Sequence, residues 1–347
     1  MEKVDYIIVG SGLAGILFCE VLKLHNKSFV VFENESQHSS TVGGGLYNPV
    51  VLKRFTTIWK AKEQLDLALP IYHKLEQSLN TKLDYKIPVY RLFASVEEQN
   101  NWFEACNKPN LSQFLSTEII HLTNTTIKSN CGFGKVLGTG RIDTATLIRS
   151  YREHLENNKQ IIKETFVYSE ITFTISKIIY NEYEALHIVF AEGFGLTKNP
   201  FFNYLPLRPT KGELLTINAP DLKIDFVLKS SVFLIPLGND LYRVGATYDW
   251  DDTSPNITVK ARDELLIKLD KFLKCDYSVV DQVAGIRPTV KDRRPLVGQH
   301  QHHKNMYILN GLGTRGVMIG PYVAKQLFNF VEGRKPLETE ININRFN

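Results

Sequence analysis

The first 33 residues carry the pattern that most limits how this chain can fold. Residues 4–9 and 29–32 are short apolar runs of the kind that form buried parallel strands. Between them lie Gly10-Ser11-Gly12-Leu13-Ala14-Gly15 and a helical stretch over residues 16–24. Glu33 ends the second run, eighteen positions after Gly15. This order predicts a βαβ unit, and therefore the parallel sheet of an α/β fold.

The glycines and the acid of this unit have separate roles in binding a dinucleotide. Gly10 permits a tight turn after the strand, Gly12 lets a pyrophosphate approach the backbone, and Gly15 lets the helix pack closely on the strand. The helix N-terminus offers free N–H groups to the phosphate. The Glu33 carboxylate would accept hydrogen bonds from a ribose diol and repel a 2′-phosphate. The pattern therefore predicts a dinucleotide site that disfavours NADP.

A second glycine cluster stands near the other end of the chain. Gly311, Gly313 and Gly316 follow an apolar run and precede a helical stretch over residues 317–331. No strand ending in an acid follows, so a second dinucleotide site is disfavoured. One interpretation is a helix N-terminus aimed at the group held by the first motif, where a reduced flavin is anionic near N1 and O2. The other is a tight strand–helix turn with glycines for packing.

Hydrophobic periodicity predicts the main elements of the rest of the chain. The predicted helices cover residues 57–79, with a kink at Pro70, and residues 143–155 and 261–273. The predicted strands cover residues 164–168, 186–190, 232–236, 241–247 and 306–309. Asn239-Asp240 is a hairpin-turn signal between two of these strands. Residues 36–50 are small and polar, and fit either a phosphate-wrapping loop or a plain surface loop.

The order of these elements predicts two domains. A length of 347 residues also favours about two. The α/β units lie at both ends and in the middle, with β-rich sequence between them. We therefore expect an α/β chain, α+β overall, with a discontinuous Rossmann-like domain formed by residues 1–84, 138–206 and 284–347. Residues 85–137 and 207–283 are expected to form an inserted antiparallel-sheet domain that holds the substrate.

Composition excludes several classes of protein. Lys plus Arg number 41 and Asp plus Glu number 37, and a net charge of +4 is no electrostatic signature of a nucleic-acid or membrane binder. The four cysteines form no CxxC pair and no zinc-ligand spacing, so neither a metal site nor a redox dithiol is expected. His300, His302 and His303 are interpreted as a surface turn. No apolar run approaches membrane-spanning length, and we expect a cytoplasmic protein.

Several motifs together resemble the D-amino-acid oxidase family, which includes glycine and sarcosine oxidases. The matching stretches are Gly10–Gly15 with Glu33, Ala191-Glu192-Gly193, Phe233-Leu234-Ile235-Pro236 leading to Val244-Gly245-Ala246-Thr247, and Ile286-Arg287-Pro288 through Asp292 and Pro295 to Gly298. Their order and spacing match along nearly the whole chain. The resemblance implies FAD and oxidation of an amine beside a carboxylate. Cysteines that attach FAD covalently in this family lie near the matched arginine, and residues 287–298 contain none, so noncovalent FAD is implied.

The motifs and the resemblance together give the expected site. The expected FAD-binding residues are Gly10, Ser11, Gly12, Leu13, Ala14, Gly15, Glu33, Asn34, Ser40, Thr41, Gly44, Gly45, Leu46, Val167, Ala191, Gly193, Arg287, Gly311, Gly313, Thr314, Arg315, Gly316 and Val317. Arg287 and Tyr248 are the expected catalytic residues. The family match places the carboxylate-binding arginine at Arg287, where a guanidinium can grip a carboxylate through two parallel hydrogen bonds. Without that match, Arg287 equally fits a structural ion pair, and Tyr248 fits ordinary packing.

The expected reaction is oxidation of the C–N bond of an amino acid or N-substituted glycine by hydride transfer to flavin N5, with oxygen or another electron acceptor. Residues 291–298, 311–316 and, more loosely, 45–49 are similar to the oxidoreductase half of the bifunctional tRNA 5-methylaminomethyl-2-thiouridine enzyme. Oxidation of a carboxymethylaminomethyl group on tRNA uridine is therefore an alternative, although no methyltransferase half is found in these residues. A second alternative is a non-catalytic binding protein on the same fold, against which the intact Glu33 motif argues.

Overall fold

The computed structural model describes residues 1–174 and 176–346. Within them lie seven α-helices: α1 (Leu13–Leu24), α2 (Ser39–Val42), α3 (Ala61–Leu79), α4 (Val96–Cys106), α5 (Thr144–Asn157), α6 (Val259–Asp270) and α7 (Gly316–Gly333). Three 3₁₀ turns cover Tyr168–Glu170, Gly193–Lys198 and Ile343–Phe346. None of the helices in these residues is long and apolar enough to cross a membrane.

The strands of the same residues form two large sheets and two small ones. In chain order they are β1 (Glu2–Val9), β2 (Phe29–Phe32), β3 (Leu46–Tyr47), β4 (Val50–Val51), β5 (Thr56–Thr57), β6 (Asp84–Tyr85), β7 (Val89–Leu92), β8 (Leu115–Ile120), β9 (Phe133–Val136), β10 (Gly140–Ile142), β11 (Ile161–Ile162), β12 (Thr172–Phe173), β13 (Ile178–Tyr180), β14 (Tyr183–Phe190), β15 (Thr210–Asn218), β16 (Val227–Lys229), β17 (Phe233–Gly238), β18 (Leu241–Gly245), β19 (Ser278–Arg287), β20 (Leu296–Gln299) and β21 (Met306–Asn310).

The first large sheet is built around the predicted βαβ unit. Its strands run in the order β11-β2-β1-β14-β13-β12, and β21 pairs with β14 and β20. The pairings of β1 with β2 and β14, of β2 with β11 and of β14 with β21 are parallel. Alternate residues of β1 enter two cores: Tyr6 and Ile8 pack with α1 and α7, and Ile7 and Val9 pack on the opposite face. Because both faces of the sheet are covered, the sequences of these strands are continuous apolar runs.

The second large sheet has the order β19-β15-β18-β17-β16-β7-β9-β8. Its neighbours are antiparallel except for β16 and β7, which are parallel, so the expected antiparallel sheet contains one parallel pair. Asn239 and Asp240 join β17 to β18 with φ angles of 51° and 60°, as a tight hairpin requires. Helix α6 covers one face through Leu265 and Leu269. The opposite face of β15, β17, β18 and β19 is turned towards the first sheet.

Most predicted elements are confirmed, and two are wrong. The helix predicted from residue 57 begins at Ala61, because residues 56–57 pair instead with residues 50–51. The strand predicted over residues 164–168 is absent. The neighbouring Ile161–Ile162 takes the place beside β2, and residues 168–170 form a 3₁₀ turn. The α/β fold class is confirmed.

The topology brings four chain segments to one edge of the first sheet. Gly10 follows β1, Glu33 follows β2, Ala191 follows β14 and Gly311 follows β21. These strands are parallel, so their carboxyl ends meet at the same edge, where ligands of open α/β sheets bind. Strand β19 of the second sheet ends at Arg287, from which the chain returns to the first sheet through β20. The proposed division into domains by residue number stays a prediction.

Candidate functional site

A cavity of about 880 Å³ lies between this edge and the second sheet. Most of the expected cofactor residues line it: Gly10, Gly12, Leu13, Ala14, Glu33, Asn34, Ser40, Gly44, Gly45, Leu46, Ala191, Gly193, Arg287, Gly313, Thr314, Arg315, Gly316 and Val317. Tyr248 lines it too. The residues that sequence analysis grouped by motif therefore converge on one space, although they come from distant parts of the chain.

Two residues of the first glycine motif support the cavity wall without lining it. Ser11 is buried, and its N–H and hydroxyl both donate to Oε2 of Glu33 at 2.6 Å. Gly15 packs against the backbone carbonyl of Gly10, and any side chain there would overlap it. Gly10 itself has a φ of +100°, which a side chain would strain. The motif therefore forms the predicted tight strand–helix turn.

Three other expected cofactor residues also lie outside the cavity lining. The hydroxyl of Thr41 donates to the carbonyl of His38. Val167 is 40% exposed, and its N–H donates to the Tyr180 hydroxyl at 2.8 Å. Gly311 is packed in the turn after β21. These three residues therefore lie outside the cavity lining.

Glu33 is held in a fixed orientation at the cavity. Besides the two bonds from Ser11, its Oε1 accepts the N–H of Glu35 at 2.6 Å. Arg152 of α5 lies 3.0 Å from Oε2 and also donates to the Ser11 hydroxyl at 2.7 Å. Sequence analysis missed Arg152, because only the docking of α5 beside α1 brings it to the carboxylate. The arrangement presents a preoriented acid with its charge balanced.

The residues of the cavity fit FAD. The first residues of α1 and α7 both line it, and neither N-cap residue supplies a side-chain cap. The Leu13 N–H donates to the Ser40 hydroxyl at 3.1 Å, and the positive ends of both helix dipoles favour an anionic group in the cavity. At Gly313 a Cβ would meet no atom within 4 Å, so a flat ring can approach the backbone. Thr144 is 4% exposed and lines the cavity, and its hydroxyl has no partner in the described part of the chain. A ligand with polar edges would satisfy it.

The Arg287 side chain crosses the face of the second sheet. Its guanidinium lies directly over Gly212 of β15, where any Cβ would overlap Nη2. Nη1 donates to the carbonyls of Thr247, at 3.2 Å, and Lys211, at 3.4 Å. The ring of Tyr248 covers it, with Cζ 4.5 Å from the ring centroid. The guanidinium is thus fixed in position by a glycine, two carbonyls and an aromatic ring.

No carboxylate among residues 1–174 and 176–346 lies within ion-pair distance of Arg287. Burial lowers the pKa of Arg287, and Tyr248 partly offsets this. Burial also lowers the pKa of Arg315, again opposed by Tyr248, so both guanidiniums lie near the same phenol. A desolvated cation without an acidic partner favours an anionic ligand. The geometry disfavours the structural ion pair that sequence analysis left open for Arg287.

Glu192 is a titratable cavity residue that sequence analysis did not select, although it stands between Ala191 and Gly193. Tyr168 donates its hydroxyl to one carboxylate oxygen, and Asn199 donates to the other at 2.7 Å. Burial raises the pKa of Glu192 to about 7, against the opposing effect of these two hydrogen bonds. Its position directly after a predicted strand, at the sheet edge where ligands of such folds bind, could have identified Glu192 from the sequence.

Side chains of the hairpin β17–β18 form another part of the lining that sequence analysis left unassigned. Phe233 and Ile235 both line the cavity. Two-residue alternation along the predicted strand places them on one face, and it could have identified them.

Two other aromatic residues near these motifs do not line the cavity. Tyr47 is 2% exposed and donates to Asp84, so it is a core residue. Trp250 is 51% exposed and lies outside the lining.

The cysteines and histidines take no part in the described lining. None of the cysteines lies among the cavity-lining residues, which fits the expectation of noncovalent FAD. His300 lies in a turn with His302 and His303. Among the described residues, no three or more His, Cys, Asp or Glu side chains are placed together so that they could hold a metal ion.

The fold and the cavity define a dinucleotide-binding protein in which a second sheet faces the binding edge of the first. The chain belongs to the DAO family: the family model described as "FAD dependent oxidoreductase" matches residues 5–329. This confirms the family resemblance and FAD as the cofactor.

Comparisons with individual proteins agree with the family. The tRNA 5-methylaminomethyl-2-thiouridine biosynthesis bifunctional protein MnmC of Shewanella sediminis (strain HAW-EB3) is 28% identical over 202 residues, covering 46% of this chain and 28% of that protein. Its namesake in Legionella pneumophila (strain Lens) is 25% identical over 322 residues, covering 86% of this chain and 46% of that protein. The chain thus spans less than half of either relative. The glycine oxidase structure from Geobacillus kaustophilus is similar in fold, with a TM-score of 0.79, 17% identity and coverage of 100% of this chain and 98% of that chain.

Proposed function

We propose that this protein oxidises the C–N bond of an amine that carries a carboxylate on the reacting carbon, as in an amino acid or an N-substituted glycine. The observation that carries the proposal is Arg287. Its guanidinium is fixed over Gly212, faces the cavity and lacks a carboxylate partner among the described residues. A planar two-bond grip on a carboxylate would fix the orientation of the adjacent carbon, which a point charge cannot do.

The protein's own contribution is orientation and exclusion of water. FAD, when bound, supplies the acceptor for the two electrons that leave the substrate carbon. Arg287 would hold the carboxylate, with Tyr248 covering the guanidinium and reducing its hydration. Phe233 and Ile235 supply an apolar wall on the same sheet face. In such surroundings a neutral amine is favoured over an ammonium ion, and amine oxidation requires the neutral form.

Matched substrate pairs test the proposal. The purified holoprotein would be mixed anaerobically with glycine or methylamine, and with sarcosine or dimethylamine, while flavin absorbance is followed. The carboxylate-bearing member of at least one pair, or of a wider amino-acid panel, is expected to reduce the flavin at least about tenfold faster, from one lost charge-assisted contact. Reduction by the amines without a carboxylate at equal or higher rates would contradict the proposal.

The Legionella relative supports a second candidate, because its match covers 86% of this chain. Its name concerns 5-methylaminomethyl-2-thiouridine of tRNA, and removal of a carboxymethyl group from an amine is also oxidation of an N-substituted glycine. The same anaerobic experiment separates the candidates. Reduction of the flavin only by tRNA bearing carboxymethylaminomethyl uridine would favour this candidate over a small-molecule substrate.

A further inference from the structure

A second cation lines the cavity on the same sheet face as Arg287. Lys229 ends β16, and its Nζ lies 4.6 Å from the ring centroid of Phe233, which also lines the cavity. Across the described chain, no carboxylate lies within 4 Å of this ammonium group. Its hydrogen-bond partner is the carbonyl of Ser231 at 3.5 Å. Lys229 therefore faces the cavity as an unpaired positive charge.

The neighbouring cations are already paired, so they do not compete for the same role. Arg91 binds Glu98 at 2.6 Å, and Lys268 binds Glu264 at 2.5 Å. Burial, together with the positive charges of Arg91 and Lys268, lowers the pKa of Lys229 to about 8. A partly desolvated ammonium group among other cations is stabilised by an anion, and none of the described side chains supplies one.

The sheet register places Lys229 well away from Arg287. Leu214 pairs with Gly245, Gly245 pairs with Phe233, and Phe233 pairs with Lys229. Three strand spacings separate Leu214 from Lys229, which is about 14 Å. The Arg287 guanidinium lies over Gly212, two residues from Leu214 on the same strand face. Because Nζ of Lys229 lies over the ring of Phe233, one strand nearer, the two positive charges are separated by about two strand spacings across the sheet, roughly 10 Å, and by two residues along the strand. One small amino acid cannot contact both.

We propose that Lys229 forms a second anion subsite, so that the substrate is an extended molecule with a distal carboxylate or phosphate besides the carboxylate on its reacting carbon. This deepens the proposed function and rests on it. Phe233 lies between the two cations and would contact the apolar connection between the two acidic groups. The subsite would make this protein discriminate against simple amino acids through a contact remote from the chemistry.

The test uses the FAD-loaded protein and N-alkylglycines whose chains end in methyl, carboxylate or phosphate, over a series of chain lengths. For at least one chain length, a charged end is expected to raise kcat/KM for anaerobic flavin reduction at least about tenfold over the methyl end. The carboxylate and phosphate arms show which anion is preferred. In Lys229→Met this ratio should fall towards one, and Lys229→Arg should recover part of it. Lys271→Met, at an exposed position outside the cavity lining, is the matched control and should retain the ratio.

Equal loss of activity towards methyl-ended and charged substrates in Lys229→Met would overturn the proposal, because it would indicate a role in the chemistry or in folding. So would a wild-type protein that does not distinguish the chain ends. Binding of sebacate, a long dicarboxylate, and of the matching monocarboxylate nonanoate, followed through the flavin absorbance, gives a readout that needs no turnover. Tighter binding of sebacate than of nonanoate that depends on Lys229 would support the subsite even if no amine reduces the flavin. Failure of the proposed function is thereby distinguished from failure of this inference.

Discussion

Replacing Gly212 with alanine should disable the substrate site without unfolding the protein. A Cβ at this position would lie well inside van der Waals contact with Nη2, Nη1 and Cζ of Arg287. The overlapping atoms are the end of a flexible side chain, so the guanidinium can move aside instead of the backbone. Alanine is also favoured over glycine in a strand interior by roughly 0.5–1 kcal/mol. The hydrogen bonds that the guanidinium loses, about 0.5–1.5 kcal/mol each, offset this gain, so the melting temperature is expected to stay level or fall by a few degrees.

The substitution instead displaces the guanidinium of Arg287. Non-bonded heavy atoms pack at about 3.5–4.0 Å, so the group must move by more than about 1 Å. That displacement breaks the bonds of Nη1 to the carbonyls of Thr247 and Lys211 and misplaces the carboxylate grip. A misplacement of about 1 Å can lower the rate about 100-fold. We expect kcat/KM for the carboxylate-bearing substrate to fall by about that factor, with normal flavin content.

A double-mutant cycle tests this reasoning. Gly212→Ala, Arg287→Ala and the double variant would be compared in anaerobic flavin reduction, with Gly333→Ala, where a Cβ meets only a distant side chain, as the control. Because the alanine acts only by displacing Arg287, the double variant should be no slower than Arg287→Ala alone. Additive losses would refute the reasoning, and so would a Gly212→Ala variant with wild-type kinetics.

Three further predictions concern the cofactor and the acids of the cavity. Acid or heat should release FAD into the supernatant, since none of the cysteines appears in the described lining, and flavin that stays with the precipitate would contradict this. Glu33→Gln should weaken FAD binding by about 10- to 100-fold, because it removes a charged acceptor and the nearer of the two carboxylates that pair with Arg152, whereas Glu35→Gln, which removes the other carboxylate from a side chain 60% exposed, should change flavin occupancy little. The pKa of Glu192 is raised from 4.5 to about 7 by folding, so between these pH values the folded state binds more protons than the unfolded state. The contribution of Glu192 to the free energy of unfolding is therefore fully present below pH 4.5 and is lost as the pH rises through 7. Glu192→Gln should remove this pH dependence, at most about 3 kcal/mol, in denaturant melts at pH 4.5 and 8, and an unchanged pH dependence would argue against the raised pKa.

The elements that were predicted correctly from the sequence are those with a distinctive pattern among neighbouring residues. The βαβ unit, β14, β21 and the β17–β18 hairpin each combine an apolar run with glycine, asparagine or aspartate at its end. The two errors arose where strand pairing, and not hydrophobic periodicity, decided the structure. Thr56–Thr57 is a strand because it pairs with the nearby Val50–Val51, and this short pairing was hidden by the helical pattern that continues after it. Ile161–Ile162 pairs with β2, which is distant in the sequence and outside any local window.

The residues of the candidate site show the same difference between local sequence patterns and long-range contacts. The glycine motifs, Glu33 and Arg287 were found because their spacing or chemistry is distinctive, and the structure brings them to one cavity. Arg152, Thr144 and Lys229 have no local signature. Thr144 and Lys229 reach the cavity, and Arg152 reaches Glu33 beside it, through the docking of a helix or a strand register that links distant residues. The position of the Arg287 guanidinium also depends on Gly212, which no motif connects to it.

The most direct test of the central claim compares wild-type protein with Arg287→Ala and Arg287→Lys. Melting temperature, flavin occupancy and the rate of anaerobic reduction by a carboxylate-bearing amine would be measured on one preparation of each. Both variants should keep their stability and FAD. Arg287→Ala should lose a factor of about 100 or more in kcat/KM, from about 3 kcal/mol of charged hydrogen bonding, and Arg287→Lys should recover only part of it, because the charge returns without the planar grip. A stable, flavin-loaded Arg287→Ala variant reduced at the wild-type rate would contradict the assignment of Arg287 as the carboxylate anchor.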